Sequence, residues 1–197
     1  SHIPAARWLR EGEDWRFFFF FPVVIGIARN SGKLTFIESC LPKPDIVIGD
    51  ARLTMTKETD QSFDVLIVDA FSSDAIPVHL MTAESIRLYM AKLKPDGVVL
   101  LHISNRYLDL EAVLGATITQ VPGAHGIIVS DDSADGSYAQ SSSTVALFAK
   151  SEAALDPFRG MKEIRQLARG SLKPWTDDYS DVLGPFVSQY KKRFMKD

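Results

Sequence analysis

The chain of 197 residues has one cysteine, Cys40, which excludes an internal disulfide and fits a reducing compartment. Histidine is scarce as well: His2, His79, His102 and His125 stand at no spacing that a metal site uses, so no structural metal site is predicted. Positive charge is not in excess. At a formal net charge of −3 there is no basic field to recruit nucleic acid or an anionic membrane, and Lys191, Lys192, Arg193 and Lys196 read as a solvated tail. Long apolar runs are also missing. The longest, Phe17 to Ala28, is about 12 residues against the roughly 20 that span a bilayer, and Pro22 and Gly26 interrupt it. Nothing reads as a signal peptide or a membrane span, no internal repeat is present, and a cytoplasmic protein is expected.

What is present is apolar residue, at 46% of the chain, enough for one sizeable core and a single α/β domain over residues 1–197. The stretch from Ser62 to Pro77 organises the rest. Val65-Leu66-Ile67-Val68 between Asp64 and Asp69 reads as a parallel strand covered on both faces. Asp69 follows it, and then a loop with two serines, Asp74 and Pro77; in open α/β sheets ligands bind at that carboxyl edge. Asp69 as the cap of a turn is the competing reading.

Around this stretch, Ile3 to Leu9 reads as the end of a helix, Trp15 to Phe21 as a buried strand and Val23 to Ala28 as a short helix behind Pro22. Asp45 to Asp50 repeats the pattern of a β-branched strand ending on an acid, with Ala51 to Lys57 as the helix after it. Ile86, Tyr89, Met90 and Leu93 mark one face of a helix over Thr82 to Leu93, stopped by Lys94-Pro95-Asp96-Gly97. Val98 to Ile103 is the next buried strand, with Ser104-Asn105-Arg106 as its loop and a helix beginning near Asp109. Gly126 to Val129 and Thr144 to Ala149 are short strands joined by a Ser/Asp/Gly-rich loop or lid over 130–143. Met161 to Ala168 is predicted helical, and Lys173 to Asp181 is a polar loop with two aromatics. Strands that alternate with helices, then two closing strands, predict a mainly parallel sheet with an antiparallel end.

This order of motifs resembles the spermidine synthase family, aminopropyltransferases built on the class I methyltransferase fold. Phe63 to Asp69 is similar to the family's strand ending in the catalytic aspartate, and Ile48-Gly49-Asp50-Ala51-Arg52 to its adenine-side motif. Val98 to Leu110, containing His102-Ile103-Ser104-Asn105-Arg106-Tyr107, and Pro174 to Tyr179 resemble the branch in which a synthase-like domain is fused to a membrane transporter-like region. The resemblance implies a Rossmann-like α/β fold. It also implies decarboxylated S-adenosylmethionine (or S-adenosylmethionine) as co-substrate with no tightly bound cofactor, and a polyamine such as putrescine as acceptor. Two departures stand out. No glycine-rich loop precedes Trp15, so the chain is expected to begin after the fold's usual first strand, and Phe18 to Pro22 occupy the family's ribose-binding motif, with Phe19 in place of its glutamate.

By the resemblance, Asp69 takes a proton from and orients the attacking amine, and Asp74 binds the polyamine ammonium. Asp178 and Tyr179 close over the amine, and Asp50 and Ala51 hold the adenine. The residues themselves leave other readings open: Asp50 as a helix cap, Asp178 and Tyr179 as a surface turn, and His102 as a satisfied core histidine. Three function classes follow: an aminopropyltransferase, a methyltransferase of the same fold, and a non-catalytic synthase-like module. A homodimer, and a cytoplasmic-face location if a transporter-like region precedes the domain, complete the expectations.

Overall fold

The computed structural model describes residues 16–19, 45–69, 77–131, 143–161, 163–170 and 172–195. The chain divides into two compact units, Ser1–Glu58 and Thr59–Asp197.

In the first unit, β1 (Arg16–Phe19) pairs parallel with β2 (Asp45–Ile48), Arg16 opposite Asp45 and Phe19 opposite Ile48. Arg16 Nε donates to Asp45 Oδ2 at 2.6 Å and its guanidinium also meets Glu58. The chain leaves β2 through Gly49 and Asp50 into α1 (Ala51–Met55), whose first turn is capped by Asp50: Oδ1 accepts the Leu53 N–H at 2.9 Å. The predicted helices over Ile3 to Leu9 and Val23 to Ala28, and Cys40, lie outside the described residues.

The second unit is built on a five-stranded sheet of order β3-β4-β6-β5-β7: β3 (Phe63–Val68), β4 (Leu93–His102), β5 (His125–Asp131), β6 (Ser143–Ala149) and β7 (Ile164–Gln166). β3 and β4 are parallel, and β6 pairs antiparallel with both β4 and β5, so β3, β4 and β5 run one way. β6 and β7 run the other way. Alternation along the strands sorts the core. Val98, Ile127, Leu147 and Ala149 pack with Leu155 of the 3-10 turn Ala153–Phe158, while Val99, Leu101, Ile128, Ala146 and Phe148 are buried on the opposite face.

The helices α2 (Ala83–Lys92) and α3 (Leu110–Thr117) supply Ile86, Tyr89, Met90, Leu110, Val113 and Leu114 to the core. α2 starts as the apolar stripe predicts, with Thr82 accepting the Ser85 N–H, and it ends where Leu93 turns extended. Its carboxyl end is tied to the residues before β3 by Gln61 N–H to Ala91 O and Ser62 N–H to Lys92 O. Its amino end therefore lies toward the carboxyl edge of the sheet. Lys94-Pro95-Asp96-Gly97 stops the helix but stays in the strand as an irregularity: Phe63 faces Leu93 and Val65 already faces Val98. Gly97 is required there, because a β-carbon would stand 2.8 Å from the Phe63 carbonyl oxygen.

Three expectations are corrected. Residues 161–168 are not a helix: Glu163 takes a positive φ of 59°, and Ile164–Gln166 pair with Ile127 to Val129 as the edge strand β7, because the open edge of β5 offers main-chain partners that a short helix would forgo. β3 is not covered on both faces. Leu66 is buried, but Val65 and Ile67, on the opposite face, are exposed; β3 is also an edge of the five-stranded sheet, with β4 as its only strand partner among the described residues. Lys191, Lys192 and Arg193, finally, are exposed as expected but lie on a helix, α4 (Leu183–Phe194), rather than a tail, and Lys192 reaches the buried Asp109 at 2.9 Å; Lys196 lies outside the described residues.

Candidate active site at the carboxyl edge

The parallel register that sets Val68 beside Leu101 carries the next residues, Asp69 and His102, to the same edge side by side. Their side chains meet, His102 Nδ1 and Asp69 Oδ1 being 2.9 Å apart. The other ring nitrogen, Nε2, is 2.7 Å from Ser104 Oγ, and that oxygen accepts the main-chain N–H of Thr144 at 2.7 Å. The sheet therefore ends in a continuous chain of hydrogen bonds from the backbone of β6 to the carboxylate after β3. Asp69 remains 62% exposed and His102 31%. The second oxygen of Asp69, Oδ2, takes no hydrogen bond among the described residues.

Beyond Ser104, Asn105 folds its loop by accepting the N–H groups of Tyr107 and Leu108, both at 2.8 Å, which leaves Arg106 and Tyr107 exposed. His102, read as a satisfied core histidine, is satisfied at both nitrogens but only half-buried. The clue available in the sequence was its place at the end of a strand directly before a Ser-Asn loop.

Asp178 and Tyr179 lie on a tight turn closed by Thr176 N–H to Tyr179 O at 2.8 Å and Tyr179 N–H to Thr176 O at 3.2 Å, and both are exposed. The turn is anchored at the amino end of α2, the end toward the carboxyl edge of the sheet. Thr82 Oγ1 donates to Asp177 Oδ1 at 2.8 Å, the Asp177 N–H donates to Glu84 Oε2 at 3.0 Å, and the Ala83 N–H donates to Trp175 O at 2.9 Å. Burial pushes the Glu84 carboxyl up, but its own N–H, that of Asp177 and the Arg87 guanidinium outweigh this and hold it below its ordinary range. Trp175 is buried under the turn, its indole N–H on Asp181 O at 3.1 Å, and Lys173 stands 5.3 Å from the Tyr179 ring centre. Asp69 and this turn share no hydrogen bond or ion pair among the described residues.

The remaining predicted positions fall elsewhere. Asp50 and Ala51 begin α1 in the first unit, with one Asp50 oxygen used as the cap. Phe19 is the last residue of β1 and its side chain lies outside the described residues, as does the whole of Asp74. Among the described residues no group of three or more His, Cys, Asp and Glu is placed to hold a metal ion, and no helix is long and apolar enough to cross a membrane.

Comparison with known proteins gives no matching family model and no matching curated protein. Solved structures do match. The probable spermidine synthase from Corynebacterium glutamicum ATCC 13032 superposes with a TM-score of 0.52 at 15% identity, over 85% of this chain and 74% of that one. Spermidine synthase from Thermotoga maritima gives 0.53 at 18% identity, over 95% of this chain and 70% of that one. A spermidine synthase in complex with the transition state analogue AdoDATO gives the same values. The likeness is one of fold. It places the chain in the Rossmann-like methyltransferase architecture that those synthases share.

Proposed function

We propose that the chain is a spermidine synthase-like aminopropyltransferase that moves an aminopropyl group from decarboxylated S-adenosylmethionine to a polyamine such as putrescine. The observation that carries this reading is Asp69: an exposed carboxylate at the carboxyl edge of the sheet, tethered through one oxygen and with no hydrogen bond to the other among the described residues. In the reaction the amine nitrogen attacks the methylene carbon next to the sulfonium. The carbon–nitrogen bond forms as the carbon–sulfur bond breaks, and the sulfur leaves as the neutral thioether methylthioadenosine. The amine must be neutral to attack, and the proton it carries passes to Asp69, which also orients it. Asp74 and, from the turn on α2, Asp178 and Tyr179 hold the rest of the polyamine. Asp50 and Ala51 hold the adenine, with Phe19 where the resembling family has its ribose acid. That solved synthases of this fold include one holding a transition state analogue supports a nucleoside-type co-substrate here.

The use of an Asp50 oxygen as the α1 cap favours a second reading, a synthase-like module whose nucleoside half no longer binds. Asp69→Asn separates the two. The amide is nearly isosteric and takes up no proton, so the initial rate of transfer should fall by roughly 10² or more with the melting temperature unchanged. Equal rates for wild type and variant would remove Asp69 from the reaction.

A further inference from the structure

We propose that His102 and Ser104 are positioning residues for Asp69, and that the main-chain N–H of Thr144 sets the tautomer through which they act. This rests on the reading of Asp69 as the group that receives the amine's proton. A serine hydroxyl has one hydrogen to give and two lone pairs. At Ser104 one lone pair is taken by the Thr144 N–H at 2.7 Å, and the hydroxyl hydrogen has His102 Nε2 within reach at 2.7 Å. When Nε2 accepts, a neutral imidazole carries its hydrogen on Nδ1, the nitrogen 2.9 Å from Asp69 Oδ1. The chain thus runs Thr144 N–H to Ser104 Oγ, Ser104 O–H to His102 Nε2, and His102 Nδ1–H to Asp69. In this arrangement each group donates to the next, and the first donor is main chain of β6, placed by the pairing of β6 with β4.

The consequence for Asp69 is one oxygen that always accepts from the protein and one left for the substrate. A carboxylate 62% exposed just past the end of its strand has no other side-chain partner among the described residues to hold its rotamer. The Nδ1–H bond holds it through Oδ1, and Oδ2, which takes no hydrogen bond among the described residues, is the atom to which the amine's proton is delivered.

Two experiments test this, one of them independent of turnover. Nitrogen-15 NMR of the imidazole should show the Nδ1–H tautomer of His102 in the wild-type protein and its loss in Ser104→Ala. An Nε2–H tautomer in the wild type, or covalent labelling of Ser104 by a fluorophosphonate, would overturn the proposal. In the transfer assay with putrescine, His102→Leu should lower kcat by roughly 10- to 100-fold, the scale of a misplaced reacting group, with a much smaller change in KM. His102→Asn keeps an N–H donor near the position of Nδ1 and should restore most of that loss. Ser104→Ala should slow the wild type but not His102→Asn, because the asparagine amide needs no tautomer to be set; equal losses in the two backgrounds would contradict the relay. If the wild type transfers nothing while the NMR result holds, the functional reading fails and the tautomer assignment stands.

Discussion

At the scale of the residue, Asp109 joins α3 to α4. It is 4% exposed, caps α3 through the Ala112 N–H at 3.2 Å, and accepts from Ser188 at 2.6 Å and Lys192 at 2.9 Å, while its own N–H donates to Pro185 O. Burial pushes its carboxyl up, but the Ser188 and Lys192 bonds, the Lys192 charge and the cap outweigh this, and the group titrates below its ordinary range. A carboxyl depressed in the folded state contributes stability that is complete above its unfolded value, about 3.9, and is lost as pH falls through the lower folded value. Wild-type stability should therefore decline below about pH 4 through this group, and Asp109→Asn should flatten that decline. Asp109→Ala should cost about 2–3 kcal/mol, a lost cap plus charged hydrogen bonds, read as a shift in the urea midpoint. An unchanged midpoint would mean that the α3–α4 junction is held by something else. Asp69 was legible because a strand ending on an acid is a local pattern. The role of His102 was not, since its partner Asp69 is 33 residues away and only the register of two strands brings them together.

Among the elements, Gly115 in α3 shows how helix propensity yields to packing. Alanine is the better helix former by about 1 kcal/mol, yet a β-carbon at this position would run into the carbonyl oxygen of Ala168 on the segment that follows β7. Gly115→Ala should thus destabilise the protein, by about 1–3 kcal/mol of overpacking less the propensity gain, visible as a lower melting temperature. A higher one would show that the 167–170 segment moves aside freely. That segment follows the misread element: Met161, Ile164, Leu167 and Ala168 carry a helical spacing, but Glu163 at positive φ and an open edge on β5 decide for a strand. In α4 the difficulty is inverted polarity. Leu183, Phe186, Val187, Tyr190 and Phe194 are exposed, whereas Ser188 and Lys192 reach inward to Asp109, so the apolar stripe does not mark the face that docks. The well-read elements α2, β5 and β6 are those whose apolar pattern and buried residues agree.

For the whole molecule, alternation of strand and helix followed by two closing strands was enough to read a Rossmann-like sheet with an antiparallel end, and the solved spermidine synthases share that fold. What composition and spacing did not convey is that Val65 and Ile67 of β3 are exposed, because apolar residues on an exposed face read the same as buried ones. On the nucleoside half of the proposed site, Phe19, which stands where the resembling family has its ribose acid, should weaken binding of methylthioadenosine by roughly tenfold to a hundredfold, an unpaired buried hydroxyl costing about 1–3 kcal/mol. Calorimetric titration of the wild type and of Phe19→Glu measures this. Tight binding by the wild type, not improved by the glutamate, would show that the aromatic run serves a working nucleoside site.

The central claim is the transfer itself, and product analysis tests it most directly. The chain is incubated with putrescine and decarboxylated S-adenosylmethionine, and in parallel with putrescine and S-adenosylmethionine, and the products are identified by mass spectrometry. Spermidine and methylthioadenosine appearing in equal amounts in the first mixture, dependent on Asp69, is the predicted result. A methylated amine in the second mixture with no spermidine in the first, or no product in either, would contradict it.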